Sequence, residues 1–242
     1  MRTKNKNSNN IIHESRWAIT ERAGDKIYKI FLHDAYFKIS KEVSLLELSI
    51  GRKMELLFDS SKKCWVCRSD YLELRPVIEN IRFTELILQL EKIFCVWEND
   101  KRYYDLIADE WSEITIPWYC SIIREHIPDS DEIITWLMGT KSEHFVHGDF
   151  TLSNIYLDDK DELLVLDYEN ATVGPLLWDE TTLVYSFIEG KQHEMAKKLY
   201  EQFSIERKML IAISCLRLAQ SIKKNQNVEL RQDTHDYILN NY

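Results

Sequence analysis

Four polar residues whose types suit phosphate chemistry lie between positions 145 and 168, in the stretch FVHGDFTLSNIYLDDKDELLVLDY. His147 and Asp149 follow a short apolar run, and Asn154 comes five residues after Asp149. Asp167 ends a second apolar run, LLVL. The spacing His-x-Asp, four residues, then Asn, with a later Asp, is typical of a loop that transfers a phosphoryl group.

Each of these residue types has a task in moving a phosphoryl group. An acceptor hydroxyl needs a carboxylate that orients it and takes its proton, and the Mg²⁺ ions that accompany a triphosphate prefer oxygen ligands such as an amide and a carboxylate. The pattern after Asn154 predicts a hairpin, with strands at residues 155–157 and 163–166. The hairpin returns Asp167 toward the loop that carries Asp149. Two carboxylates and one amide are therefore expected to converge at the ends of neighbouring strands.

Composition and charge exclude several classes of protein. The chain has 242 residues, which fit one domain or two lobes that share a cleft, and 45% of them are hydrophobic, enough for a core. A formal charge of −9 argues against a nucleic-acid binder, which would present a basic face. No apolar run reaches the ~20 residues that span a bilayer. The polar start, MRTKNKNSNN, lacks the apolar centre of a signal peptide.

Cysteine usage indicates a cytoplasmic protein. There are five cysteines, an odd number, and Cys64 and Cys67 form a C-x-x-C pair. No second pair and no nearby histidine lies at zinc spacing, so we expect no metal site there. Reduced thiols in the cytoplasm explain the pattern.

Lys29 lies in the second of two predicted strands, at residues 16–21 and 26–32, which the turn sequence AGD joins. Strand alternation places Lys29 on one face with Ile27 and Phe31. A lysine among apolar residues on that face could reach phosphates from inside a cleft. The alternative is a strand lysine that faces solvent.

A helix is predicted at residues 40–54, with Ser40 as its N-cap. Glu42 lies on the apolar face of this helix, and because a lone buried charge is costly, Glu42 needs a partner. Lys29 is the natural candidate. Glu47 is the competitor, since it lies beside apolar residues of the same helix. A further alternative is that both acids are solvated.

The hydrophobic period changes near residue 75. Strands at residues 64–68 and 71–74 precede this point, and mostly helices follow it. We therefore place an N-terminal nucleotide-binding lobe at residues 1–75, in which residues 1–14 form a flexible tail. A C-terminal catalytic and acceptor-binding lobe takes residues 76–242. Helices are predicted at residues 79–97, 103–111, 118–126, 129–138, 176–188, 192–203, 205–224 and 233–239.

The motifs VHGDFTLSN and LLVLDYE resemble those of the aminoglycoside phosphotransferase and choline kinase family. The later segment LWDETTLV, and KIYKIF with KEVSLLE, are similar to further motifs of that family. The resemblance is sharp over residues 145–185 and loose over residues 16–78. It implies an α+β, two-lobed protein-kinase-like fold, with a small antiparallel-sheet N-lobe that carries one helix and a larger, mainly helical C-lobe.

The resemblance also implies roles for individual residues. Asp149 would be the catalytic base that orients the acceptor hydroxyl, and Asn154 and Asp167 would hold Mg²⁺. Lys29 would contact the nucleotide phosphates and pair with Glu42.

Further positions would support this assignment. His147 would support the loop rather than do chemistry. Asp179, at the start of a predicted helix, either caps that helix or braces the backbone of the loop. By analogy with the fold, the nucleotide base would meet the backbone of a hinge, whose residues are Tyr71, Leu72, Glu73 and Leu74.

Three departures from the family pattern bear on function. The N-terminal part lacks a Gly-rich loop, since its only glycines are Gly24 and Gly51. Either the hairpin at Gly24 covers the phosphates less tightly than such a loop would, or an opening strand is missing. Gly148 stands where many protein kinases have an arginine. Seven residues separate Asp167 from Pro175. The last two features favour a small molecule or sugar over a protein as the acceptor.

The sequence therefore predicts a phosphotransferase that depends on ATP (or GTP) and Mg²⁺ and moves the γ-phosphoryl group to a hydroxyl of a small molecule. Aminoglycosides, choline-like amines, sugars and polysaccharide components are the candidate acceptors. The alternative is a pseudokinase, or nucleotide-binding scaffold without turnover, which the missing Gly-rich loop favours. A hydrolase that uses His147 and Asp149 would lack a Ser or Cys nucleophile in an obvious elbow.

The acceptor pocket is expected in the helices after residue 98. Several acidic and aromatic residues there either bind a cationic amine or are solvated acids and packed aromatics. These residues are Asp105, Asp109, Glu110, Tyr103, Tyr104, Trp111 and Trp118.

Overall fold

The computed structural model describes residues 10–14, 18–32, 36–78, 80–107 and 111–242. The chain forms two compact units. The first unit contains the described residues up to Pro76 together with Tyr156–Glu169, and the second contains Val77–Ile155 and Asn170–Tyr242.

Ten strands and nine α-helices make up the described part of the chain. The strands are β1 (Asn10–Glu14), β2 (Ala18–Ala23), β3 (Lys26–Phe31), β4 (Glu55–Asp59), β5 (Cys64–Asp70), β6 (Arg75–Pro76), β7 (His144–Val146), β8 (Ile155–Leu157), β9 (Leu163–Val165) and β10 (Thr172–Gly174). The helices are α1 (Tyr36–Ile50), α2 (Phe83–Asn99), α3 (Lys101–Asp105), α4 (Ile116–His126), α5 (Asp131–Met138), α6 (Trp178–Glu189), α7 (His193–Gln202), α8 (Arg207–Lys224) and α9 (Val228–Asn241). A π-helical turn, Trp111–Thr115, leads into α4.

The first unit is built on an antiparallel sheet with strand order β1-β2-β3-β5-β4. Gly24 joins β2 to β3 with a φ of +66°, a left-handed conformation that glycine adopts without a steric cost. One face of the sheet and the inner face of α1 share a small core, and burial of these side chains holds helix and sheet together. The core consists of Ala18, Phe31, Ile39, Val43 and Cys67, with Met54, Leu56 and Trp65 packed against it.

The hairpin of β8 and β9 belongs to the first unit, although the sequence placed it within the C-terminal lobe. β6 pairs with β8 to make a second sheet of order β6-β8-β9, and α1 packs against β9. The Tyr168 hydroxyl donates to Ser49 Oγ over 2.9 Å, and the Tyr168 side chain is fully buried. The first unit thus ends its N-terminal part at Pro76, close to the predicted boundary. The hairpin also belongs to the first unit, because its apolar face packs on α1.

Four features of the first unit differ from the prediction. Residues 10–14, expected in a tail, form β1, because their backbone pairs with β2; the rest of that tail, residues 1–9, lies outside the described residues. α1 begins at Tyr36 rather than at Ser40, since the Tyr36 ring packs on Trp65 at a centroid distance of 4.8 Å. Residues 71–74 are irregular rather than a strand. β4, which was not predicted, shows little alternation in burial and is specified by its pairing with β5.

The second unit is mainly helical and is organised around α8. This helix packs against α4, α5, α6 and α9, and it buries residues on nearly every side. The two short strands β7 and β10 of this unit pair antiparallel. The predicted helices are present with shifted ends, except that the one expected at residues 103–111 ends at Asp105. No helix of the described chain is both long and apolar enough to cross a membrane.

The predicted fold class is therefore confirmed. The first unit is an antiparallel-sheet unit that carries one helix, and the second is larger and mainly helical.

Close packing of β10 on β7 yields a test of the second unit. A Cβ atom at Gly174 would lie 2.7 Å from Val146 Cγ2 and 3.2 Å from Trp111 Cε3. We expect Gly174→Ala to lower the free energy of unfolding by about 1–3 kcal/mol, because these side chains must shift to admit the methyl group. Urea unfolding followed by circular dichroism measures the change.

Gly139→Ala is the matched control, since a Cβ atom there would meet its nearest neighbour at 3.5 Å. Its effect should stay within about 0.5 kcal/mol. Equal effects of the two substitutions would contradict the packing of β10 on β7.

Candidate active site

Lys29, in the middle of β3, forms two ion pairs within the first unit. Its Nζ atom pairs with Glu42 on α1 and with Asp167 Oδ1 at 3.0 Å. Glu42 is only 4% exposed, so its charge needs this partner. Three residues that lie far apart in the sequence therefore meet at one ammonium group.

The surroundings keep Lys29 charged. Burial acts to lower the pKa of Lys29, but the attraction of Glu42 and Asp167 outweighs it, so the pKa lies above its usual value. Glu47, the competing acid on α1, accepts instead from the backbone N–H of Met54 at 2.5 Å. Of the two acids that the sequence left open, Glu42 is the partner of Lys29.

Asp167 stands at the end of the hairpin with a left-handed backbone, φ +67°. Side chains rarely adopt this conformation, although Asp tolerates it better than most, and it directs the carboxylate back toward β3. Ligand oxygens of Asp167, Glu169 and Glu42 lie within 4.8 Å of one another. Lys29 already pairs with Glu42 and with Oδ1 of Asp167. The three acids together form an all-oxygen set, which suits Mg²⁺.

The predicted hinge is an irregular segment between β5 and β6. The backbone N–H of Tyr71 donates to the carbonyl of Asp25 over 2.8 Å, and the guanidinium of Arg22 lies 3.6 Å from the centre of the Tyr71 ring. The binding of a nucleotide base by the backbone of residues 71–74 stays a prediction.

In the second unit, the loop that follows β7 is fixed by Asp179. The carboxylate of Asp179 accepts from the backbone N–H of His147 at 2.5 Å and from that of Gly148 at 3.0 Å. Burial raises the pKa of Asp179 to about 8, although the two N–H donors act to lower it. Leu177, rather than Asp179, is the N-cap residue of α6. Of the two roles predicted for Asp179, the structure displays the bracing of the loop.

Gly148 has a φ of +80°, and a Cβ atom there would overlap the carbonyl oxygen of Asn170. No other residue fits this position without a shift of the backbone. His147 is fully buried, and its ring stacks on Trp97 and meets Phe150 edge to face. Its Nδ1 atom accepts from the backbone N–H of Asp149 at 3.3 Å. The glycine and the histidine therefore shape the loop that presents Asp149.

Both carboxylate oxygens of Asp149 are held by side chains. Arg217 Nη2 donates to Oδ1 over 2.5 Å, and Asn154 Nδ2 donates to Oδ2 over 3.2 Å and to the backbone carbonyl of Asp149 over 2.8 Å. Burial acts to raise the pKa of Asp149, but the charge and hydrogen bond of Arg217 outweigh it, so the pKa lies below its usual range. With its amide hydrogens turned to Asp149, Asn154 keeps its oxygen as the atom that can bind a metal.

Sequence reasoning missed Arg217 and Glu169. Arg217 carried a signal, because it is a single charge inside the apolar run MLIAISCLRLA, the same kind of signal that singled out Glu42. Glu169 follows Asp167 by two residues, and only the turn after the hairpin brings the two together. The predicted convergence of Asp149 and Asn154 with Asp167 stays a prediction.

The proposed acceptor residues mostly serve the core of the second unit. Tyr103 and Trp111 are buried, and the Tyr104 hydroxyl accepts from the backbone N–H of Phe145 at 3.1 Å. Asp105 and Trp118 are exposed. Asp109 and Glu110 lie outside the described residues. Packed aromatics, rather than a cage for a cationic amine, explain Tyr103 and Trp111.

Comparison with known families supports the resemblance. A family described as "Phosphotransferase enzyme family" matches residues 102–209, a range that includes Asp149, Asn154, Asp167 and Asp179. No curated protein matches the sequence.

Solved structures with the same fold include two aminoglycoside phosphotransferases and a choline kinase. An aminoglycoside phosphotransferase APH(4)-Ia mutant, in a ternary complex with ADP and hygromycin B, is 14% identical with a TM-score of 0.67, and the match covers 96% of this chain and 93% of that chain. An aminoglycoside 2'-phosphotransferase IIIa mutant with GDP is 10% identical with a TM-score of 0.66, covering 96% and 90%. Choline kinase LicA from Streptococcus pneumoniae is 13% identical with a TM-score of 0.57, covering 94% and 90%.

These findings confirm the predicted resemblance and the predicted kinase-like fold.

The ion pair of Lys29 provides a test of the first unit. We expect Lys29→Met to lower the free energy of unfolding by about 2–4 kcal/mol, because it leaves the buried Glu42 without a cation. In a Glu42→Gln background the same change should cost much less, since no lone charge remains. Chemical unfolding of the four proteins gives the coupling between the two positions.

Lys26→Met is the control on the same strand. Lys26 pairs with Asp70 at the surface, where solvent screens both charges, so its loss should change stability little. A Lys29→Met variant as stable as Lys26→Met would contradict the inference that the buried Glu42 requires Lys29 as its partner.

Proposed function

We propose that the protein transfers the γ-phosphoryl group of ATP or GTP to a hydroxyl of a small molecule. The observation that carries the proposal is the pairing of Lys29 with both Glu42 and Asp167. A partly buried ion pair adds little stability over packed apolar side chains. A cation fixed between two acids therefore points to the binding of phosphate and metal.

Lys29 binds nucleotide phosphate oxygens in this proposal. Glu42 holds its ammonium group in a fixed position, so little conformational entropy is lost when the phosphates arrive. Because the surrounding acids keep the lysine protonated, it offers a full positive charge to the developing negative charge of the transferred group.

Mg²⁺ fits the acids of the first unit, and Asp167 and Glu169 would hold it there. When bound, the metal would offset negative charge on the phosphate oxygens.

Asp149 orients the acceptor hydroxyl and takes its proton. Its depressed pKa keeps the carboxylate ionised at neutral pH, and each of its oxygens retains a lone pair for the hydroxyl beside the bonds from Arg217 and Asn154. The brace from Asp179 holds the backbone of the loop, so that Asp149 meets the hydroxyl in one geometry. Such positioning supplies most of the rate in phosphoryl transfer.

The short connection after Asp167 supports a small acceptor. The chain passes from Asp167 through a single 3₁₀ turn into β10, which pairs with β7. No segment of that connection is left to dock a peptide. The solved structures of the same fold include kinases with hygromycin B and a choline kinase, which are consistent with a small hydroxylated acceptor. The five free cysteines fit the cytoplasm, where thiols stay reduced.

Nucleotide turnover tests the proposal. We expect ADP or GDP release, with Mg²⁺ present, from at least one compound in a panel of sugars, polyols, amino alcohols and aminoglycosides. Asp149→Asn should lower kcat by about 10²–10⁴-fold, because the acceptor hydroxyl loses the group that takes its proton. Asp167→Asn should lower it comparably, and a coupled assay for the released diphosphate measures both.

Asp161→Asn is the control, since this acid lies in the exposed turn of the same hairpin and pairs with Arg75. It should turn over like the parent. Full activity of Asp149→Asn with any acceptor, or no turnover by the parent across the panel, would refute the proposed function.

A further inference from the structure

β4 is an outer strand of the five-stranded sheet in the first unit, and its outer side is open. Its inner side pairs with β5 at every residue from Glu55 to Asp59, without a shift in register. On its other side, β4 pairs with no strand of the described chain. The backbone N–H and C=O groups on that side are therefore a template for a further strand.

The side chains of β4 do not protect this open edge. Leu57 is 51% exposed and Phe58 is 52% exposed. Natural sheets block open edges with a proline, a lysine or a bulge within the strand, and ELLFD contains none of these, since its two acids stand at its ends. The opposite edge of the sheet is β1, whose register shifts between Ile11 and His13. Of the two outer strands, β4 is thus the regular one that another strand can extend.

Aromatic rings continue the apolar surface beside β4. The Phe58 ring meets the Trp65 ring at a centroid distance of 5.2 Å, and Tyr36 packs on Trp65 in turn. Phe37, which lies next to Tyr36 at the start of α1, is 87% exposed. Soluble monomers rarely leave contiguous apolar surface of this kind in water. A partner that pairs with β4 would lie beside these rings.

The charges of β4 restrict how a second copy of this chain could pair with it. In an antiparallel pairing about a two-fold axis, residues that stand opposite each other face the same side of the sheet. A pairing centred on Glu55 would place Glu55 opposite its own copy, and one centred on Leu57 would place Glu55 opposite Asp59. Both arrangements oppose like charges, which destabilises a pair of strands.

The pairing centred on Leu56 has complementary charges instead. It places Lys53 of each copy opposite Asp59 of the other, and Met54 opposite Phe58. Lys53 is exposed, just before β4 begins. Within the described residues, the bonds of the following turn go to Oδ1 of Asp59, which leaves Oδ2 for Lys53. Two opposite-charge pairs, one on each side of the axis, therefore favour this register.

We propose that two copies of this chain associate through β4, centred on Leu56, to form one continuous antiparallel sheet. The two β1 strands then become its outer edges, and their bulges limit the assembly to two copies. The proposal goes beyond the proposed function and does not rest on it, since β4 carries none of the candidate site residues.

Sedimentation velocity of the full chain, from about 1 μM to about 100 μM protein, provides the test. We expect a monomer–dimer equilibrium in which the dimer fraction rises with concentration and no larger species forms. Leu57→Lys places a lysine in the open edge, as natural edge strands do, and should weaken the dimer about tenfold or more. A chain that stays monomeric throughout, or that grows beyond a dimer, would overturn the proposal.

Exchange of the charges tests the register itself. Lys53→Glu sets two acids opposite each other twice in each dimer, so it should raise the dissociation constant about tenfold or more. Asp59→Lys should weaken the dimer as well, since it sets two lysines opposite each other. An equal mixture of the two variants has opposite charges at both positions, so the variants should associate with each other about as tightly as the parent does.

Lys62→Glu is the matched control, because Lys62 is exposed in the turn after β4 and the substitution changes the net charge by the same amount as Lys53→Glu. It should dimerise like the parent. Thermal melts establish that each variant is folded, and Lys53→Glu with Leu57→Lys decides the outcome if Asp59→Lys is not. A dimer that persists unchanged in either folded variant, or folded charge variants that associate no better when mixed, would show that the proposal is wrong.

Discussion

A charge that leaves water must be balanced, and this constraint explains the arrangement of both units. In the first unit Glu42 is nearly inaccessible to solvent, and Lys29 balances it from the neighbouring strand. The same ammonium group then holds Asp167 at the end of the hairpin. In the second unit Asp149 is balanced by Arg217 from α8. Each unit thus contains an ion pair at a position where packed apolar side chains would be at least as stable. Such a costly pair is expected in a binding site.

Backbone geometry complements these pairs in the loop that carries Asp149. Asp179 accepts from two successive N–H groups, and Gly148 allows a turn that a side chain would block. Because the loop is fixed through its backbone, the side chain of Asp149 is left for Arg217, Asn154 and the acceptor. A carboxylate fixed in this way suits a reaction in which orientation supplies most of the rate.

The sequence predicted the features that depend on local pattern. The loop, the hairpin after it and the pairing of Lys29 with Glu42 follow from spacing, alternation and the cost of a lone buried charge. Features that depend on distant partners were missed: β1 and β4 are specified by pairing with β2 and β5, and α1 starts early because Tyr36 packs on Trp65. Arg217 was missed because a charge inside an apolar helix indicates that a partner exists but does not show which residue the partner is. The fold class was therefore predictable, whereas the residues that surround Asp149 were only partly so.

The central claim is that the γ-phosphoryl group leaves the nucleotide for a small acceptor. A single-turnover experiment with the protein in excess over γ-labelled ATP, Mg²⁺ and a mixture of hydroxylated small molecules follows the label directly. The account predicts that the label appears in an organic product of low mass, and that omitting the mixture abolishes this product. Label found only in inorganic phosphate, or attached to the protein itself, would contradict it.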